Sequence, residues 1–301
     1  VSLRLSLLSA LSRATVKPLL ARAADPEANR RMLELGARRL FRAPPYALYC
    51  PGRIGAGGLW ISARPGSHPV RRGKLVLYIH GGGFIAGSPE THAAMLARIA
   101  WLTGVEIYAA RYRLSPAHRF PDAVEDVRAA WDDLRARGYH PGDIVLGGDS
   151  AGGNLALGLL AALCAEGTPP AGLFTLSPLT DFTFSGASIR DNARADPMLP
   201  ASRAQDVVRW YLGEADPRDP RASPLFADFP GAPPVLFQYA EDEILRDDSM
   251  RMAAHLRAAG AQVTEQVWPR APHVFQIFDG WVPESRDALR GVADFVKARL
   301  V

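Results

Sequence analysis

"DIVLGGDSAGGNLALGLL", residues 143–160, decides how this chain folds. Its first half is a short apolar run rich in Ile, Val and Leu, as a buried strand requires, and its second half carries apolar residues at helical spacing. Between the halves stand Gly148, Asp149, Ser150, Ala151 and Gly152, a G-x-S-x-G sequence. A sharp strand-to-helix turn brings the residues two before and two after the serine together, so both must be tiny, and it lifts the serine hydroxyl above the sheet. The same turn sets Ser150 at a helix N-terminus, where unpaired N–H groups and the dipole favour developing negative charge. A phosphate-cradling loop would use glycines in a similar way, but it needs a Lys-Ser/Thr pair that is missing here. Ser150 is the candidate nucleophile.

Outward from this turn, short apolar runs alternate with longer amphipathic ones. "KLVLYIH", "VEIYAARY", "GLFTLSP", "PVLFQYA" and "AQVTEQVW" read as strands, bounded by Gly or Pro and rich in β-branched or aromatic residues. "PDAVEDVRAAWDDLRARG", "AGGNLALGLLAALCAEG" and "LRDDSMRMAAHLRAAG" read as helices that stop at Gly138, Gly167 and Gly260. The alternation predicts an α/β fold: a mostly parallel central sheet with helices on both faces. Runs around "ALYCPG" and "GLWISARP" are expected to add an antiparallel edge. Two segments depart from the repeat, a helical stretch over residues 1–45 and an irregular one over about 180–215. Both are read as a helical cap or lid on a single domain spanning residues 1–301, over the carboxyl ends of the strands where such sheets bind ligands.

Composition excludes several function classes. Of the 301 residues, 48 % are apolar and 22 % charged, as in ordinary soluble globular proteins. The net charge of +4 is spread along the chain with acids between the bases, and only Lys17, Lys74 and Lys297 are lysines, so no nucleic-acid module is expected. Two cysteines, Cys50 and Cys164, build no disulfide framework and point to a reducing, cytoplasmic setting. No apolar run approaches a membrane span, and Arg13, Lys17 and Arg22 interrupt the N-terminal leucines as an amphipathic helix would rather than an export signal.

A serine hydroxyl needs a base. In α/β chains with this elbow the order is Ser, then Asp or Glu, then His. His255 and His273 are the histidines after Ser150. His255 lies within "MRMAAHLRAAG", where a solvated helix face is its ordinary place. His273, in "WPRAPHVFQIF", follows the last strand in a loop that could reach the serine. The acid belongs after "PVLFQYA", where Glu241, Asp242 and Glu243 crowd together, and the residues alone do not separate them. Asp247 and Asp248 read as a charged helix start. Finally, "LYIHGGGFIAGS", residues 77–88, puts three glycines directly after a strand, which suits a loop whose bare backbone must approach an oxyanion.

Taken together, "HGGGF", "YRLSP" followed by "FPDAVEDV", "GDSAGGN", "EILRDD" and "PHVFQIF" resemble, in order and spacing, the hormone-sensitive-lipase-like carboxylesterases of the α/β-hydrolase fold, from about residue 74 to the C-terminus. In that family the acid stands two residues before a leucine and about thirty before the histidine. Leu245 and His273 then select Glu243, with Asp242 as runner-up, since 273 minus 243 is 30. The resemblance implies an oxyanion hole of Gly82, Gly83 and the Ala151 N–H, with His80 bracing the loop. It implies a serine esterase acting on short- to medium-chain acyl esters, without metal or organic cofactor. A homodimer is compatible with the sequence, as are an amidase or deacetylase using the same residues, or a ligand-binding relative. Phe84, Phe182 and Trp210 are candidate pocket walls that could equally be core.

Overall fold

A computed structural model describes residues 1–22, 25–63 and 73–300. Arg64 and Pro65, expected at the end of the second edge strand, and Ala23 and Ala24 of the N-terminal stretch lie outside the described residues. The chain opens with α1 (Leu3–Leu11), a π-helical turn (Ser12–Val16), α2 (Lys17–Arg22) and α3 (Pro26–Leu40). There follow β1 (Ala47–Gly52), β2 (Gly58–Ala63), β3 (Leu75–Ile79), α4 (Pro89–Thr103), β4 (Glu106–Ala110), α5 (Asp122–Ala136), β5 (Ile144–Asp149), α6 (Ser150–Ala165) and β6 (Gly172–Leu176). The irregular region holds a single turn, α7 (Ser188–Asp191), and α8 (Ala204–Tyr211), before β7 (Val235–Ala240), α9 (Arg246–Ala258), β8 (Val263–Trp268) and α10 (Pro283–Leu300).

The eight strands form one sheet in the order β1-β2-β4-β3-β5-β6-β7-β8. β1 pairs with β2, and β2 with β4, antiparallel, while every other pair is parallel. The antiparallel edge is as the sequence predicts. The alternation of side chains along β3 assigns the two faces. Leu75, Leu77 and Ile79 join one apolar layer with α5, α6 and α9, and Val76 and Tyr78 join the other with α4 and α10. The central strands are buried along their whole length. That explains why they read as near-continuous apolar runs rather than as alternating ones.

Local chemistry sets the helix ends. Ser88 accepts from the Thr91 N–H while the Thr91 hydroxyl takes the Ser88 N–H, a reciprocal box that starts α4. α5, α6 and α9 end two residues before Gly138, Gly167 and Gly260, as the sequence predicts. Asp248 departs from its expected role as a charged helix start. Its side chain is buried, and Oδ2 accepts the N–H groups of Thr180 and Asp181 at 2.6 and 3.1 Å, fastening α9 to the irregular region. Asp181 in turn takes the Arg251 guanidinium at 2.9 Å.

Burial, reinforced by the Asp181 charge against the opposing backbone N–H bonds, pushes the Asp248 carboxyl up to about 7. A carboxyl raised in the folded state stabilises below its unfolded value of about 4, and that contribution is lost as pH rises through its folded value. Urea unfolding of the wild type should therefore show stability falling between about pH 4 and about pH 7 by on the order of 1 to 4 kcal/mol. Asp248→Asn, which keeps the accepting oxygen, should flatten that slope. Equal slopes in the two proteins would refute this account of Asp248.

Candidate active site

β5 runs straight into α6, and the residue at the junction is Ser150. Its φ is 52°, a left-handed conformation that costs a non-glycine residue about 1 to 3 kcal/mol. Packing enforces it. A Cβ on Gly148 would be driven into the carbonyl of Gly152, and one on Gly152 into the carbonyl oxygens of Ile79 and His80 at the end of β3. The two glycines thus let the turn close against itself and against the neighbouring strand. Ala151, next in the chain, is in the first turn of α6, where backbone N–H groups have no intrahelical partner.

His273 lies in the loop after β8, buried, and its Nδ1 is 2.7 Å from Glu243 Oε2. The second carboxylate oxygen, Oε1, accepts the Ala240 N–H at 2.9 Å, and Glu243 is fully buried. A carboxylate at Nδ1 assigns the proton to that nitrogen and leaves Nε2 as an acceptor. Nε2 is buried without a hydrogen-bond partner among the described residues. Burial works against the imidazolium, yet the hydrogen bond to Glu243 and its charge, joined by Asp196 and Asp149, outweigh it and raise the His273 pKa above the ordinary histidine value. Asp242 is half-buried and does not share in this contact; the carboxylate that meets His273 is that of Glu243. His255 is half-buried on α9, with Nε2 2.8 Å from the Ala227 carbonyl oxygen, rather than on a solvated face.

The loop that carries Glu243 is framed by residues that pattern reading missed. Asn192 donates its side-chain amide to the carbonyls of Glu241 and Glu243, and the Ser188 hydroxyl donates to the Ile244 carbonyl. Buried Asp196 accepts the Ile244 N–H at 2.9 Å through one oxygen and the N–H groups of Met198 and Leu199 through the other. Four successive carbonyls of this segment, residues 193–196, are taken by Arg13 and Lys17 from the N-terminal helices. Apart from the bonds of Asp196 to Met198 and Leu199, none of these contacts has a local signature, because each joins residues at least 48 apart in the chain.

Opposite the elbow, Gly82 and Gly83 have φ of 121° and 63°. A Cβ on Gly82 would strike the Ala86 carbonyl, and one on Gly81 the Asp149 carboxylate. Asp149, the residue before Ser150, is buried and joins the two turns. Its Oδ1 accepts the Gly81 N–H at 2.9 Å and the Tyr78 hydroxyl at 2.8 Å, and Oδ2 lies 3.2 Å from His92 Nε2. Burial disfavours both charges, but their mutual attraction and hydrogen bonds prevail, so the Asp149 pKa is lowered and that of His92 raised. The motif itself marked Asp149's position; its partner His92 sits on α4 with no such mark. His80 stacks on Tyr112 with ring centroids 4.3 Å apart and Nδ1 2.9 Å from the Gly81 carbonyl oxygen, and burial beside His92 brings it down to about 3. It is a neutral brace.

Ser150, His273, Gly82, Gly83 and Ala151 all line one cavity of about 520 Å³. Its apolar walls come from the N-terminal helices, through Leu19, Met32 and Leu33, and from the irregular region, through Met198, Leu199 and Trp210. Phe84 lines it too. Phe182 does not: it is buried behind Phe84 and Tyr211, with ring centroids 5.6 and 5.5 Å away, as core packing. Among the described residues no group of three or more His, Cys, Asp or Glu side chains could hold a metal ion, and no helix is long and apolar enough to cross a membrane.

A family model described as the alpha/beta hydrolase fold matches residues 76–277. The chain is 35 % identical over 260 residues to an esterase of Acinetobacter venetianus, covering 85 % of this chain and 84 % of that one. To an acetyl-hydrolase of Streptomyces hygroscopicus it is 36 % identical over 231 residues, covering 76 % and 77 %. The crystal structure of an esterase from the bacterial hormone-sensitive lipase family superimposes with a TM-score of 0.91 at 35 % identity, covering 100 % of this chain and 99 % of that one. On fold, motif order and these likenesses, the chain belongs to the α/β-hydrolase family, in its bacterial hormone-sensitive-lipase-like branch, and is a serine carboxylesterase.

Proposed function

We propose that Ser150 is the nucleophile, His273 the general base and then general acid, and Glu243 the acid that orients the imidazole. The observation that carries this reading is the 2.7 Å contact between His273 Nδ1 and Glu243, made by a histidine that lines the same cavity as Ser150 and whose Nε2 has no hydrogen-bond partner among the described residues. Ser150 Oγ attacks the ester carbonyl while Nε2 takes its proton, and the carbonyl oxygen becomes an oxyanion held by the N–H groups of Gly82, Gly83 and Ala151. Nε2 then protonates the departing alcohol, and water, deprotonated by the same nitrogen, releases the acid and restores Ser150. Asp149 is a positioning residue in this scheme, since it holds the Gly81 N–H and so the loop that offers the oxyanion donors.

The substrates we infer are short- to medium-chain acyl esters, taken under a cap made of residues about 1–45 and about 180–215 over one domain of residues 1–301. A cavity of about 520 Å³ with apolar walls suits such acyl groups, and the Streptomyces relative's name, acetyl-hydrolase, fits the short end of the range. Free thiols at Cys50 and Cys164 accord with a cytoplasmic location.

Ser150→Ala should lower kcat on p-nitrophenyl acetate by about 10⁴-fold or more, and activity that survives the change rules the mechanism out. Glu243→Gln should cost roughly 10³- to 10⁴-fold and Asp242→Asn only a few-fold, whereas the reverse ranking would assign the acid to Asp242. The base must be neutral to act, and Glu243 raises its pKa. kcat/KM should therefore climb with pH through an inflection above 6.5 in the wild type, and residual activity of Glu243→Gln should inflect at lower pH. Asp149→Asn should reduce kcat by about 10- to 100-fold with little change in KM, since the oxyanion donors act on the transition state. A change confined to KM would contradict that role.

A further inference from the structure

We propose that the N-terminal helical segment docks on anionic phospholipid surfaces, with a headgroup-sized pocket between Arg4, Arg286 and Arg290. Contrary to the even spread expected from composition, the net charge of the chain is unevenly divided. Residues 1–42 hold nine Arg and Lys against three Asp and Glu, a net of +6, so with +4 overall the remaining residues carry −2. On α1, Leu3, Leu7 and Leu11 recur every fourth residue and so share one face, and they are 90 %, 70 % and 58 % exposed. The opposite face is fixed to the body. Leu5 packs with Ala271, Phe275 and Val282, the Ser9 hydroxyl donates to the Arg270 carbonyl, and the Ser2 N–H and hydroxyl donate to Glu284. The leucines are therefore held outward by a helix anchored on its other side.

Two neighbouring features match a lipid surface. Beside Leu3, Arg4 lines a cavity of about 180 Å³ with Arg286, Arg290 and the half-exposed ring of Trp281. Among the described residues, Asp287 is the one carboxylate in its lining and pairs with Arg290, while Arg286 pairs with Asp279 behind it. Three guanidinium groups around a space of that size suit a phosphodiester, which arginine binds in bidentate fashion. Tryptophan favours the headgroup level of a bilayer and leucine the acyl boundary beneath it. The second feature is continuity with the ester site: Leu19 and Leu40, from the same positively charged segment, are both exposed and line the cavity that holds Ser150. Trp281 of the basic cavity donates its indole N–H to the carbonyl of Leu40, so the two cavities adjoin, and docking here would bring the ester site close to esters dissolved in the bilayer. A second copy of this chain fits the leucine face less well, because pairing would oppose two segments of the same positive sign.

The test is flotation of the intact protein with vesicles of phosphatidylglycerol or of phosphatidylcholine, at low and high ionic strength. Binding should be confined to phosphatidylglycerol and weaken with salt. Arg4→Gln with Arg290→Gln should lower the affinity by about fivefold per arginine, and Leu3→Ser with Leu7→Ser and Leu11→Ser should abolish binding. Turnover of soluble p-nitrophenyl acetate should stay unchanged in both sets. Because binding is read without turnover, failure here is distinct from failure of the proposed triad. Equal binding to both vesicles, no binding, binding that survives both sets of substitutions, or full displacement from vesicles by an equal concentration of free glycerol phosphate would overturn the proposal. So would a wild-type dimer in light scattering that the leucine substitutions convert to a monomer, since the face would then belong to a second copy. The arginine pair alone keeps the test decisive should the leucine variant fail to fold.

Discussion

The carboxylate of Asp149 is the contact on which the rest of the site depends. It sits between two turns that the sheet brings side by side, the elbow after β5 and the glycine loop after β3, and it accepts the Gly81 N–H directly. Parallel pairing of β3 with β5 places both turns at the same end of the sheet, and the missing side chains of Gly81, Gly148 and Gly152 let the backbones approach. A buried carboxylate is costly unless its oxygens are satisfied, and here Tyr78, Gly81 and His92 satisfy them. Rigid spacing between the serine and the glycine loop follows, which electrostatic stabilisation of an oxyanion requires because preorganised donors need no rearrangement during reaction.

A second frame surrounds Glu243, and it belongs to segments outside the strand and helix alternation. Ser188, Asn192 and Asp196 hold the loop of Glu243, while Arg13 and Lys17 clamp the carbonyls of residues 193–196 from the N-terminal side. The same two segments wall the apolar cavity. The walls of the cavity and the support of the Glu243 loop are therefore built on the same two segments.

Much of this was legible in advance, for identifiable reasons. Strands β3 to β7 are short and apolar, and β8 is short, rich in β-branched and aromatic residues and closed by Pro269, so composition and punctuation sufficed. Ser150 was legible because the elbow makes local steric demands that only glycine meets. Other features were not, and three of them show why. α4 is buried on most of its surface, with Met95, Leu96, Ala97, Ile99 and Ala100 all inaccessible, so it lacks the polar stripe by which an amphipathic helix is recognised. Asp248 looked like a helix-start charge, but the region it fastens begins 68 residues earlier. Phe182 and Phe84 are equally aromatic and equally buried, and only one faces the cavity.

The sequence by itself determined the α/β architecture, the turn that presents Ser150 and the glycine loop facing it, because each follows from conformational preferences that act within a few residues. Among three adjacent carboxylates residue chemistry left the choice open and family spacing pointed to Glu243; the tertiary structure shows Glu243 meeting His273 and, with no signal in the sequence, Asn192 and Asp196 supporting that loop. Glu241, Asp242 and Glu243 have nearly the same intrinsic chemistry. What distinguishes them is direction, and the direction of a side chain in a loop is set by the distant segments packed around it.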